Sequence, residues 1–278
     1  METNSPRLKD YFDRISYRGL HKPDVETLFA THKAQAFSVP YEGIDILAGL
    51  TPDHSIEAIF DKIVRRRRGG WCYETNGLLG WALDQVGFEV HRAVAGVYRK
   101  DKGDTTLGNH VVLLVKLDQT YLADLGLGDA LREPLALREG EHTRGGLTFR
   151  LEKLPDGYWR FHNHALGSPT SFDFRDVPAD EELLSAKAAV LRVDPESFFV
   201  QNFECIAMRE NSSVAILGRV LRSTSLAGVE KQLIVSPKHM EKILVQHFGI
   251  VGVDVQALWP KILQRHKIVF GAEDAAPL

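Results

Sequence analysis

Cys72 lies in the stretch Arg68-Gly69-Gly70-Trp71-Cys72-Tyr73-Glu74-Thr75-Asn76. Two glycines and a tryptophan precede the thiol, and the apolar series Leu78, Leu79, Trp81, Ala82, Leu83 and Val86 follows it. The glycines read as a tight turn and the apolar series as a helix. The thiol therefore falls at a helix N-terminus, where the positive end of the dipole favours thiolate, the nucleophilic form. His110 opens an apolar run over residues 111–117, and Asp124 sits near the end of a second over 121–125. Cys, His and Asp are the residue types of a nucleophile, its general base and the carboxylate that orients the base, the logic of covalent acyl transfer. A lone cysteine is more often a small buried hydrophobe, and Cys205, inside the apolar run 203–208, reads as one. The turn-and-helix setting sets Cys72 apart.

Those three groups need elements to bring them together. Residues 10–15 are amphipathic, Asp24 is placed to cap a helix carrying Val25, Leu28 and Phe29, and Ser55 to cap one carrying Ile56, Ile59, Phe60 and Ile63. The Cys72 helix should end at Gly87, a C-cap residue type. From Phe88 the pattern turns to strands over 90–98, 110–117, 121–125, 147–154 and 158–161, with Asp156-Gly157 as a hairpin turn. Further strands are predicted over 197–208 and 214–221, then a helix opened by Ser236-Pro237 and stopped by Gly249.

The runs bearing His110 and Asp124 form a hairpin whose register decides the chemistry, because a slip of one residue turns every side chain to the other face. A two-residue loop at Asp118-Gln119 sets Asp124 opposite Leu113 and leaves His110 on the wrong face. A three-residue loop over 117–119 sets Asp124 opposite Val112, so that His110 becomes its same-face diagonal neighbour, about 7–8 Å away at the backbone. Asp118-Gln119 lacks the glycine a two-residue turn favours, so the longer loop is predicted.

The 278 residues can bury a substantial core and divide into two or three subdomains. A net charge of −3 argues against nucleic acid as the main partner. Two cysteines make no disulfide framework, which fits a reducing cytoplasm, and no apolar run reaches the length of a membrane span. The Arg65–Arg67 block reads as a solvated charged face. His162 and His164 read as a surface pair rather than a metal site, and no metal is predicted.

The motif around Cys72, with Gly108-Asn109-His110 and Tyr121-Leu122-Ala123-Asp124-Leu125-Gly126-Leu127-Gly128, resembles the arylamine N-acetyltransferases. Upstream, Val39-Pro40-Tyr41-Glu42-Gly43-Ile44-Asp45 is similar to the family's Pro-aromatic-Glu-Asn segment, with Gly43 where asparagine is usual. Tyr11-Phe12-Asp13-Arg14-Ile15 fits its opening helix and Ser197-Phe198-Phe199-Val200-Gln201-Asn202 a later motif. The resemblance covers roughly residues 8 to 250. It implies an α+β, cysteine-protease-like acyltransferase fold: a helical domain (1–87) carrying the nucleophile, an antiparallel β-barrel domain (88–190) carrying His and Asp, and an α/β lid (191–278).

The resemblance also implies Cys72, His110 and Asp124 as the catalytic residues, and Thr106, Leu107, Gly126 and Gly128 as contacts to CoA. It implies an Arg68–Glu42 ion pair bracing the Cys72 turn. The reaction implied is ping-pong. Acetyl-CoA, a co-substrate rather than a tightly bound cofactor, acetylates the thiol, and an arylamine, arylhydrazine or N-hydroxyarylamine removes the acetyl group. Backbone N–H groups at Cys72 and Tyr73 are the candidate oxyanion donors. Leu127 stands where the family often has an aromatic residue, which bears on the acceptor pocket. The same triad also serves cysteine hydrolases of the papain or transglutaminase type, and amide synthases that draw on a carrier-bound polyketide. The acyl donor that loads Cys72 separates the three. A silent binding module is the remaining alternative, and retention of all three triad residues opposes it.

Overall fold

The computed structural model describes residues 6–271. The helix Cys72–Val86 is the hub of the first third. Trp71 enters it in extended conformation, and Gly87 closes it in the left-handed region at φ 103°, where only glycine is unstrained. Leu78, Leu79, Ala82, Leu83 and Val86 form one apolar side of this helix. They pack in a single cluster with Leu113, Val115, Tyr121 and Ala123 of the following sheet. Burying each large side chain contributes about 1.5–3 kcal/mol, so this face fixes the Cys72 helix on the strands that carry His110 and lead to Asp124. Asp24 and Ser55 cap Val25–Ser38 and Ile56–Phe60 through their side chains, as the sequence predicts.

The middle of the chain is an eight-stranded antiparallel sheet that curls into a nearly closed barrel. Its order across the sheet is Leu135–Ala136, Thr120–Ala123, His110–Lys116, Glu89–Val97, Ser171–Phe174, Trp159–His162, Leu147–Lys153 and Gly140–Arg144. The first and last of these are joined by residues 137–139 alone, which brings the two edges towards each other. Pairing of Leu113 with Ala123 and Lys116 with Thr120 leaves the loop at 117–119. Extending that register sets Asp124 opposite Val112, the alignment in which His110 and Asp124 share a face.

A second antiparallel sheet, ordered Tyr41–Glu42, Glu204–Met208, Ser212–Leu217, Val220–Ser225 and Gly228–Leu233, covers the site from the other side. Its edge strand comes from the N-terminal third, immediately before the helix Ile44–Leu47. The helices Pro237–Ile243 and Val255–Phe270 pack on this sheet around Phe203, Cys205 and Ile216. Cys205 is a core residue there. Two sequence predictions differ from this structure. The stretch 197–208 is not one strand: Phe198–Gln201 is a helical turn and the strand begins at Glu204. The stretch 214–221 is interrupted at Gly218, whose φ of 59° turns the chain back into Val220–Ser225.

Candidate active site

Cys72 occupies the first turn of its helix, and Trp71 before it gives its backbone N–H to Glu74 Oε2 at 3.2 Å. The N–H groups of Glu74 and Thr75 both turn back to the Trp71 carbonyl. Those of Cys72 and Tyr73 have no carbonyl of their own helix to reach, as in any first turn. Two segments clamp the turn from outside. Gly70 N–H donates to the Pro40 carbonyl and Glu42 N–H to the Gly70 carbonyl, at 3.2 and 3.0 Å. A Cβ on Gly69 would lie 2.1 Å from the Pro40 oxygen, so the backbone approach requires glycine there.

Beneath the turn lies a charge network. Arg68 donates to both carboxylate oxygens of the fully buried Glu42, from Nε at 2.9 Å and Nη2 at 3.0 Å, and from Nη2 to Asp45 at 2.9 Å. The Arg68–Glu42 pair is thus present. Lys62, which the sequence does not single out, is buried in the same network and reaches Glu74 at 2.8 Å and Asp45 at 3.0 Å. Burial favours the neutral forms of Lys62 and Arg68, but the neighbouring carboxylates outweigh it and hold both firmly protonated. Burial likewise opposes ionisation of Asp45, and Lys62 and Arg68 still hold its carboxyl below the usual range. Arg65 and Arg66, by contrast, make only solvent-exposed pairs with Glu57 and Asp61.

His110 Nε2 lies 2.9 Å from Asp124 Oδ2, and Cys72, His110 and Asp124 are each only 1% exposed, so bulk water is excluded from all three. With Nε2 engaged by Asp124, Nδ1 is the ring nitrogen left for the thiol, and Cys72 and His110 line the same cavity. Burial works against a charged imidazole. The Asp124 charge and hydrogen bond, helped by Cys72, overcome it and push His110 up to about 10. Asp124 pays the same burial penalty, and His110, Asn76 and the Gly126 N–H nevertheless hold it below the usual carboxylate range.

Asn76 is the residue whose role the sequence did not disclose. It stands one helical turn beyond Cys72, on the same face. Its Nδ2 donates to Asp124 Oδ1 at 2.8 Å and to the Val111 carbonyl at 2.7 Å, while its Oδ1 accepts from Leu125 N–H at 2.8 Å. One helix therefore presents the Cys72 thiol and grips the Asp124 carboxylate. His32, buried and kept neutral with its pKa lowered to about 4 chiefly by desolvation, accepts the Asp124 N–H at 3.2 Å. His54 accepts from Trp71 Nε1 at 3.2 Å and stacks on Tyr73, and desolvation again lowers it to about 4. Tyr73 in turn donates to the carbonyls of Gly108 and Leu184. None of these distant partners carries a local sequence signal. Asn76 does, through its spacing of four from Cys72.

A cavity of about 300 Å³ opens onto the thiol and the imidazole. Its wall includes Tyr41, Val97, Leu127, Phe198 and Phe199, with Lys102 among the lining residues and Glu204 also on the wall. Gly43 lets Phe199 come close, since a Cβ there would lie 3.3 Å from its ring. Of the four residues expected to contact CoA, Gly126 lines this cavity; Thr106 and Leu107 lie just behind Asn109, and Gly128 abuts Ile206. The Gly126 N–H is engaged by Asp124 at 2.8 Å, and a Cβ at this position would sit 2.5 Å from Cys72 Cβ. Its requirement is close approach to Cys72. His162 pairs with Glu152 at the surface, whereas His164 is buried beside Asp129 at 3.7 Å, contrary to a surface placement of both. Among the described residues no group of three or more metal-ligating side chains is assembled, and no helix is long and apolar enough to cross a membrane.

Comparison with known proteins agrees with this arrangement at the level of family. A family model described as N-acetyltransferase matches residues 24–257. An arylamine N-acetyltransferase of Mycolicibacterium smegmatis is 32% identical over 276 residues, covering 92% of this chain and 98% of its own. The arylamine N-acetyltransferase pineal gland isozyme NAT-3 of Gallus gallus is 31% identical over 274 residues, covering 87% and 93%. The solved arylamine N-acetyltransferase of Mycobacterium marinum superposes with a TM-score of 0.84 at 28% identity, covering 92% of this chain and 98% of that one. The same protein has been solved in complex with CoA.

Proposed function

The chain belongs to the arylamine N-acetyltransferase family, and from that premise we propose that it transfers the acetyl group of acetyl-CoA to the nitrogen of arylamines, arylhydrazines or N-hydroxyarylamines by way of an acetyl-thioester on Cys72. The observation that carries this reading is the coupling of three groups through one helix. Cys72 stands at its first turn beside His110, and Asn76, one turn on, holds the carboxylate that orients His110.

In the first half-reaction the Cys72 thiolate attacks the acetyl carbonyl carbon. The new C–S bond forms as the bond to the CoA sulfur breaks, and the proton held on His110 is available to the departing CoA thiolate. Exchange of one thioester for another is nearly isoenergetic, so a cysteine suits this step. In the second, the acceptor nitrogen attacks the acetyl carbon, His110 takes up its proton, and the Cys72 thiolate leaves. Asp124 fixes the imidazole tautomer and supports its cationic form throughout. The unengaged N–H groups of Cys72 and Tyr73 are the donors closest in sequence to the oxyanion of both tetrahedral intermediates.

CoA would enter past Lys102, whose ammonium suits its phosphates. Thr106 and Leu107 lie behind that wall, and the turn from Gly126 to Gly128 lets the thioester reach the nucleophile. Initial rates measured with acetyl-CoA and an arylamine varied together test the sequence of events. Parallel double-reciprocal lines are expected, and intersecting lines would show a ternary complex and overturn the covalent intermediate.

A further inference from the structure

The buried carboxylates near the barrel and the Cys72 turn each have a cation beside them. Glu42 has Arg68, Glu74 has Lys62, Asp124 has His110, Asp129 has Arg132 and Asp173 has Arg160. Glu204, half-buried, has none. Among the described residues its carboxylate has no ion pair and no side-chain hydrogen bond, although it stands on the wall of the cavity that holds Cys72 and His110. Strand alternation explains how it comes to be there. Cys205 points into the lid core, while Ile206 packs with Tyr41, Trp71 and Cys72 on the opposite face. Glu204, two residues before Ile206, shares that face.

A carboxyl partly withdrawn from water with no cation beside it is costly to ionise. Burial alone pushes Glu204 up to about 8. Such a group persists where a ligand supplies the missing charge. The cations Lys102, on the same cavity, and Arg222, on the adjoining one, make no ion pair with Glu204. Tyr41, Val97, Leu127, Phe198 and Phe199 make much of the remaining wall aromatic or aliphatic, beside the polar Asn109 and Ser168, and could receive an aryl ring.

We propose that Glu204 is a specificity-determining residue that selects acceptor amines bearing a second, cationic group on the aryl ring. This rests on the acetyl-transfer reading above. An acceptor with its nucleophilic nitrogen at the acetylated thiol and its ring against Phe199 and Leu127 would set a cationic substituent against the Glu204 carboxylate. Coulomb attraction would then return that carboxyl to its ionised form.

The test uses the full chain, wild type and Glu204→Gln, with (4-aminobenzyl)trimethylammonium, its neutral isostere 4-neopentylaniline, and 4-aminobenzoate. Acetyl-enzyme is first formed with acetyl-CoA and its rate of formation followed by intact mass. Its discharge by each amine is then timed. The ratio of discharge constants, cation over neutral isostere, is expected to fall by at least about tenfold in Glu204→Gln, as for loss of Coulomb attraction between opposite charges a few ångströms apart and partly withdrawn from water. The ratio for 4-aminobenzoate should rise. Glu204→Asp, which keeps the charge, should retain a preference for the cation.

An unchanged ratio in Glu204→Gln overturns the inference. So does a defect confined to acetyl-enzyme formation, which would assign the carboxyl to the CoA arm. In either case a wild-type enzyme that acetylates 4-neopentylaniline leaves the acetyl-transfer reading standing. A wild-type enzyme that forms no acetyl adduct removes both.

Discussion

Gly126→Ala is the sharpest structural perturbation of the proposed nucleophile that leaves its chemistry untouched. The added methyl would lie 2.5 Å from Cys72 Cβ, 2.6 Å from Cys72 Cα and 2.8 Å from Asn76 Nδ2. Carbon atoms in contact rest about 3.5–4.0 Å apart, so the two segments must separate by about 1 Å. Gly126 is not among the glycines of positive φ, so alanine meets no backbone strain there and the effect is steric. Neither side yields freely. The Gly126 N–H is held by Asp124 and the Leu125 N–H by Asn76, while Cys72 is fixed by its helix. Displacement of a reacting group by about 1 Å can cost on the order of 100-fold in rate. Overpacking adds about 1–3 kcal/mol of destabilisation. Rapid-quench intact mass gives the rate of Cys72 acetylation, and urea unfolding measures the stability loss separately. A variant that remains folded and acetylates within about threefold of wild type would refute the claim that this turn sets the position of the thiol.

Asn76→Ala removes the amide that joins Asp124 to the nucleophile's helix and leaves buried groups unpaired, at a cost of about 1–3 kcal/mol. Its kcat should fall by roughly 10- to 100-fold with the fold retained by circular dichroism; an undiminished kcat would make Asn76 dispensable for orienting Asp124. Arg68→Ala strands the fully buried Glu42, and urea unfolding should show a loss of about 3–5 kcal/mol, with a loss below about 1 kcal/mol contradicting the bracing role. The ordinary histidine value of 6.5 rises to about 10 in the folded His110 despite burial, because of Asp124 and Cys72. The stability this provides is complete below about pH 6.5 and is lost as pH climbs towards 10. Asp124, held low, loses its share only on acidification. The Tm gap between wild type and His110→Gln should therefore narrow from pH 7 to 10, and a widening gap would reverse the assignment of charge.

The hairpin carrying His110 and Asp124 was legible because its register rests on two local facts, the absence of a turn glycine at Asp118-Gln119 and the two-residue period of strand faces. The caps at Asp24, Ser55 and Gly87 were legible for the same kind of reason. The stretch 197–208 was not, because its aromatic and β-branched residues favour a strand while Phe199 is drawn into a helical turn by packing against Gly43 and Trp71. Within the site, Asn76 could have been found from its spacing to Cys72. His32 meets Asp124 across 92 positions of sequence and Lys62 stands just before the Arg65–Arg67 block that reads as solvated, so only the fold reveals their burial. Glu204 was hidden inside an apolar run whose cavity-facing side depends on the pairing of Tyr41 with Ile206.

The central claim is that acetyl passes through the Cys72 thiol under control of His110 and Asp124. Intact-protein mass spectrometry of wild type, Cys72→Ala and Asp124→Asn after mixing with acetyl-CoA, before and after an arylamine is added, tests it most directly. The account predicts one acetyl adduct on wild type that the amine discharges far faster than water does, none on Cys72→Ala, and formation slowed by orders of magnitude in Asp124→Asn. An adduct that persists in Cys72→Ala, or that water clears as quickly as the amine, would contradict it.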